Sequence, residues 1–277
     1  MNLAAPEHLL ARKGAAKIAL IPPDVLTALN TGQIPTVNLN EFLAIDLVEL
    51  ATQVVRQIGL SPQAERLQDT LAMLDSVKPM KRHLHIARAL YDMTAEQPQP
   101  SRDAIATALA NHSSDVARCW CAQWLQFSQQ TLAQKLQAVR RFAADSHFGV
   151  REIAWMAVRD DVVAQLDEAI QLLLPWVVDT DENIRRFACE LTRPRGVWCA
   201  QIEALKTTPW RAQALLEPLK SDSSRYVQNS VANWLNDASK TQAEWVQSLC
   251  DKWVQTSASA PTRYIVKRAL RTLDKPV

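Results

Sequence analysis

DTDENIRRFACELT, residues 179–192, sets the reading of the whole chain. Its acidic turn leads into a segment whose apolar residues, Ile184, Phe187, Ala188 and Leu191, fall at i, i+3, i+4 and i+7, the spacing of one buried helical face. The same order of polar turn, Val or Ile, then cation or amide returns in NHSSDVARCWCAQWL (111–125), DSHFGVREIAWMAV (145–158), DSSRYVQNSVANWL (222–235) and APTRYIVKRALRTL (260–273). These segments start 34, 34, 43 and 38 residues apart. A helix pair of that length cannot cover its own apolar face and must stack on the next pair. The spacing therefore predicts an all-α, right-handed α-solenoid of five helix–turn–helix units over residues 101–277.

Composition points the same way. Only five glycines occur in 277 residues, and β-branched alternating runs are scarce, so a sheet turned by tight glycine hairpins is not expected. Neither GxGxxG nor GxxxxGK[ST] appears, which removes the simplest nucleotide-cofactor readings. No apolar run approaches the roughly 20 residues of a membrane span, and no cleavable leader is visible, so a soluble cytoplasmic protein is expected. Five irregularly spaced cysteines fit reduced, buried thiols. His83, His85 and His147 lack ligand spacing, so neither a metal nor another cofactor is expected.

The partner helices of the repeats are predicted at 162–178, 199–206, 209–220 and 241–255. Residues 1–100 read as an N-terminal helical region, continuous with the repeats in one elongated domain, with helices at 22–30, 39–59, 62–76 and 79–93. TAEQPQPSRD (94–103) reads as the linker. Asp145, Asp179 and Asp222 stand where helix caps are needed.

Net charge is only +2, so nucleic-acid affinity has to come from local arrangement. Arg118, Arg151, Arg185 and Lys267 follow their turns at matching heights and predict a cationic track along a concave face. The corner RRFACELTRPRGVWC (185–199) gathers Arg185, Arg186, Glu190, Arg193, Arg195 and Trp198. All nine tryptophans lie in the repeat half; Trp124, Trp234 and Trp245 read as core, whereas Trp155 and Trp198 each neighbour a carboxylate and arginines, Trp155 standing beside Arg151 and Glu152. Two readings of Glu190 stay open: an ion pair with Arg186 at i−4, or a functional carboxylate.

The repeated turn-then-Arg helices, the ELTRPRGVWC corner, the block SDSSRYVQNSVANWLNDASK (221–240) and the terminal TRYIVKRALRTL together resemble the AlkC/AlkD-type DNA alkylation repair proteins, the AlkC branch more than the AlkD branch. The resemblance runs from roughly residue 65 onward. It implies a HEAT-like solenoid holding double-stranded DNA in its concave face, and a DNA glycosylase, a hydrolase acting on cationic N-alkylated bases such as 3-methyladenine. Trp155, Trp198 and Glu190 or Glu152 would then face the lesion, while Arg118, Arg151, Arg185, Arg186, Arg193, Arg195, Lys240 and Lys267 would hold the backbone. A monomer without cofactor is expected. The chemistry is self-consistent: an N-alkylated base is already cationic, so departure needs no general acid. A carboxylate can answer the sugar's developing charge, and a tryptophan face adds about 0.5–2 kcal/mol of cation–π attraction.

Two alternatives share this scaffold. One is a non-catalytic protein that binds DNA structures; the other is a helical-repeat scaffold for protein partners, which the near-neutral charge would suit. An exposed tryptophan beside an unpaired glutamate in a positive groove would mark the enzyme. A positive groove without an acid would mark the DNA binder.

Overall fold

The structure, a computed structural model, describes residues 6–61, 64, 67, 71, 77, 79–196, 199–257 and 259–273. Every element among them is an α- or 3₁₀-helix, and no strand occurs among them. Each of the five repeat segments carries its helix: Asp115–Gln123, Phe148–Ala157, Glu182–Leu191, Arg225–Ser239 and Ala260–Ala269. Their periodic apolar positions are buried, as Val150, Ile153, Ala154 and Ala157 show.

The intervening helices are more broken than their periodicity predicts. Residues 162–178 were expected as one helix, yet Arg159–Ala164, Leu166–Leu173 and a 3₁₀ turn at Trp176–Val178 succeed one another there. Pro175 lacks the N–H that would carry the α-helix forward. The 209–220 segment divides likewise into 3₁₀, α and 3₁₀ pieces, with Pro209 and Pro218 each at the start of a 3₁₀ turn. The helix expected at 199–206 begins later, as Glu203–Thr207, whereas Ala243–Thr256 matches expectation.

The chain divides into two compact units, one of Met1–Gln129 with Asp145–Ala157, the other of Gln130–Ala144 with Val158–Val277. In the first unit, the expected 39–59 helix is two helices, Leu39–Ala44 and Leu47–Gln57. Asp46 intervenes and accepts from the N–H groups of Val48 and Glu49, each at 3.0 Å. The 62–76 helix lies almost wholly outside the described residues. The expected linker at 94–103 is instead a short turn at 96–98, between helices Pro79–Ala95 and Gln99–Ala110; the Pro and polar residues that suggested a loop open the second helix.

The N-terminal segment is tied to the first repeat. The Asp115 carboxylate is fully buried and accepts from the Thr36 N–H and hydroxyl, both at 2.8 Å. His147 bridges the same two residues, with Nδ1 3.3 Å from Asp115 and Nε2 donating to the Thr36 carbonyl at 2.7 Å. Nearby, Trp120 donates through its indole N–H to His83, whose ring stacks on Phe42 at 4.7 Å.

In each unit, arginines also tie repeat turns together. Arg118 donates one nitrogen to the turn carbonyls of His112 and Ser113, and its other two to Asp145 at 2.8 and 3.1 Å. Arg185 repeats this within the second unit, reaching the carbonyls of Asp179 and Thr180 and gripping Asp222 at 2.6 and 3.0 Å. Arg151 reaches the carbonyls of Asp145 and Ser146, and Gln228 that of Asp222. Asp179 is also met by Arg140. The three aspartates thus cap turns rather than helices: each accepts the N–H two residues on, at His147, Asp181 or Ser224. Asp181 is the residue that caps helix Glu182–Leu191.

Burial holds two first-unit histidines neutral. It lowers His83 from 6.5 to about 4, and burial with the nearby Arg118 does the same to His112. The unfolded chain takes up these protons near pH 6.5 and the folded chain only near 4, so their stabilisation is full above pH 6.5 and is lost as pH falls between those values. Each accounts for up to about 3 kcal/mol. The unfolding midpoint should drop across that window, and less steeply in His83→Gln; parallel pH profiles for the two proteins would exclude His83 as a source.

Candidate functional site

The corner that closes helix Glu182–Leu191 is built around an arginine that periodicity did not single out. Arg159 is 1% exposed and donates to the carbonyls of Leu191 and Arg193, both at 2.7 Å, and of Ala200 at 3.1 Å. Carbonyls at a helix end lack intrahelical partners, and one buried guanidinium satisfies them here. Gly196 is required by close approach, since a Cβ there would run into Cys199 Sγ and lie 3.0 Å from Arg159 Nη2. Trp234 seals the other side by donating to the Thr192 carbonyl at 2.9 Å. Val197 and Trp198 lie outside the described residues.

That corner faces a polar stripe on the long helix Arg225–Ser239. Tyr226, Asn229, Ser230, Asn233, Asp237 and the capping Lys240 follow helical spacing and share one side. From helix Glu182–Leu191 come Arg186, whose guanidinium lies 4.2 Å from the Tyr226 ring centre, and Glu190. Glu190 is 4% exposed; it accepts from Ser230 Oγ at 2.6 Å and from Arg193 at 3.0 Å, with Arg186 further off at 3.7 Å. Arg193 uses all its nitrogens, the other two reaching Asp237 at 3.0 and 2.8 Å. Lys240 stands 3.4 Å from Asp237, and Arg195 donates to the Asp237 carbonyl at 3.2 Å. Burial alone would favour the neutral form of Arg193, but Glu190 and Asp237 more than offset this and raise its pKa. Four cations, Arg186, Arg193, Arg195 and Lys240, therefore surround two carboxylates, and the stripe carries net positive charge.

The structure thus brings Arg186, Glu190, Arg193, Arg195 and Lys240 together. Of the two readings of Glu190, it displays the ion pair, though mainly with Arg193 rather than Arg186. Arg118 and Arg185 are committed to turn carbonyls and aspartates, and Arg151 reaches turn carbonyls in the same way. Lys267 is exposed on the last helix. Trp155 and Glu152 belong to the first unit, where the indole N–H donates to Glu152 at 3.0 Å and the ring is 3% exposed. Asp237 and Arg159 were missed as participants. Asp237 sits inside the quoted 221–240 block and could have been found there; Arg159 has no local signal, because its partners lie about 30 to 40 residues away.

A family model described as DNA alkylation repair enzyme matches residues 85–273, more than half of the chain. The chain belongs to the DNA alkylation repair enzyme family. Among curated proteins it is 36% identical over 147 residues to YhaZ of Bacillus subtilis (strain 168), described as uncharacterized; the match covers 53% of this chain and 40% of that protein. Among solved structures it resembles the alkylpurine DNA glycosylase AlkC of Pseudomonas fluorescens, bound to DNA containing an abasic site analog. That TM-score is 0.69 at 23% identity, over 82% of this chain and 62% of the other. It also resembles AlkD2 of Streptococcus mutans, with TM-score 0.56 and 20% identity, over 75% of this chain and 99% of the other. The chain thus spans well under two thirds of YhaZ and somewhat under two thirds of AlkC. At these identities the structural likeness is one of fold. Among the described residues no helix is long and apolar enough to cross a membrane.

Arg185 offers a direct check on its place in the fold. Its pair with Asp222 is largely buried, the side chains being 14% and 5% exposed. Arg185→Gln leaves Asp222 without its fork and should lower unfolding stability in urea by about 3 kcal/mol. A loss of DNA affinity at unchanged stability would instead return Arg185 to a phosphate track.

Proposed function

We propose that the protein is a monofunctional DNA glycosylase that releases cationic N-alkylated bases, such as 3-methyladenine, from double-stranded DNA. It would act as a monomer, without metal or nucleotide cofactor, on a HEAT-like solenoid whose concave side receives the duplex. The observation that carries this reading is the polar stripe of helix Arg225–Ser239, where Arg186, Arg193, Arg195 and Lys240 outnumber Glu190 and Asp237 in a chain of the DNA alkylation repair family. An excess of positive charge of this kind, opening to solvent at Lys240, attracts phosphates. The free state of all five cysteines fits a cytoplasmic location.

The lesion's own charge weakens its glycosidic bond, so the protein has to stabilise the cationic sugar and position water. Glu152 is the better placed carboxylate for that work, because it is half-buried and oriented by the Trp155 indole N–H at 3.0 Å. Trp155 then acts chiefly as its positioning partner. Glu190, held by Arg193 and Ser230, supplies the counter-charge that keeps the arginines of the stripe in place. Trp198 remains proposed as an aromatic contact to the cationic base.

Base release from methylated duplex DNA tests this directly. The wild-type protein should liberate 3-methyladenine, with Glu152→Gln about a hundredfold slower and Trp155→Ala also slowed, both remaining folded; Glu190→Gln should lose stability as well as activity. A second reading is favoured by one observation: in the stripe, both carboxylates are engaged by arginines. Absence of base release with salt-dependent DNA binding intact would establish that non-catalytic DNA-structure binder in place of the enzyme.

A further inference from the structure

The dipeptide Arg-Tyr lies near the start of two successive repeat helices, at Arg225-Tyr226 and Arg263-Tyr264. In both cases the tyrosine lies beneath an arginine from the preceding repeat helix: Arg186 over Tyr226 at 4.2 Å, and Arg225 over Tyr264 at 3.6 Å. The second stack has a further arginine, Arg268, at 5.6 Å from the Tyr264 ring centre. Tyr264 is itself fixed, since its hydroxyl donates to Asn229 at 2.7 Å. An arginine flat on an aromatic face loses rotamer freedom before any ligand arrives, while its N–H edge stays available.

Among the described residues, the cations around this stack are not ion-paired as several of the protein's other arginines are. Arg118, Arg185 and Arg193 each grip an aspartate, whereas Arg225, Lys267, Arg268 and Arg271 are exposed and form no ion pair among the described residues. Arg271 donates to Asn233 at 3.0 Å and to the Arg268 carbonyl at 2.6 Å, which holds it against its own kind. Partial burial, then the proximity of Arg268 and Arg193, lowers its pKa, with Asp237 opposing. Like charges held together, with no carboxylate in ion-pair contact among the described residues, are a cost in the free protein that an anion would relieve.

We infer that Arg225 and Arg268, stacked about Tyr264 and flanked by Arg271, form a preorganised clamp for the phosphodiester backbone of DNA. This rests on the DNA-binding reading above and extends it to residues outside the corner and the turn positions. The ligand is the phosphate chain itself, so the clamp is indifferent to base sequence and to the lesion.

The test is fluorescence anisotropy of a labelled duplex titrated with the full chain over a range of salt concentrations. Arg225→Gln and Arg268→Gln should each reduce the slope of log affinity against log salt by about 1, equally on damaged and undamaged duplex. Lys252→Gln, exposed on helix Ala243–Thr256, should leave the slope unchanged. Tyr264→Leu should weaken binding several-fold by freeing both guanidiniums. Slopes equal to wild type in both arginine variants would overturn the clamp while leaving DNA binding in place. A wild-type protein with no salt-dependent DNA binding would overturn the clamp together with the functional reading it rests on.

Discussion

Turns between helices leave backbone carbonyls that neither helix satisfies, and this fold answers them with guanidinium groups. Arg118 and Arg185 each insert between two carbonyls of their own turn and the aspartate of a later one. Arg159 does the same work at the helix end near Pro194, where it meets three carbonyls. The five donors of a planar guanidinium suit this bridging task, which an ammonium could not perform in one plane. Much of the arginine in a near-neutral chain is therefore spent on its own backbone.

The remaining arginines have different neighbours. Arg186 and Arg193 meet the Glu190 and Asp237 carboxylates along one side of helix Arg225–Ser239, which hold them in position without cancelling them, and Arg195 donates to the Asp237 backbone carbonyl. Beyond that point, toward the last helix, aromatic faces replace carboxylates as the support for Arg225 and Arg268. Positive charge thus becomes less compensated along the same surface. For a polyanionic partner this gradient matters more than the net charge of +2, because each phosphate senses the field within about 10 Å at ordinary salt.

The tryptophans fit the same economy. Trp120, Trp155, Trp234 and Trp253 are buried, and each indole N–H has an acceptor, in turn His83, Glu152, the Thr192 carbonyl and Glu217. Their rings fill space between helices, and their one polar atom fixes a side chain or a backbone corner. For Trp155 this means that orientation of Glu152, rather than a broad open ring face, is its visible contribution.

The sequence by itself determined the helical class and the positions of the five repeat helices, because 3.6-residue periodicity is a local property carried by consecutive side chains. The resemblance resting on the 221–240 block and the proline corner was also legible, and it led to the family. Only the tertiary structure decided what the charged residues do. Glu190 finds Ser230 forty residues away, Arg185 finds Asp222 and Arg193 finds Asp237, and none of these separations follows a period. Whether an arginine meets a carboxylate, a carbonyl, a tyrosine face or solvent depends on how helices distant in sequence pack. A repeat pattern assigns it only a height along the stack.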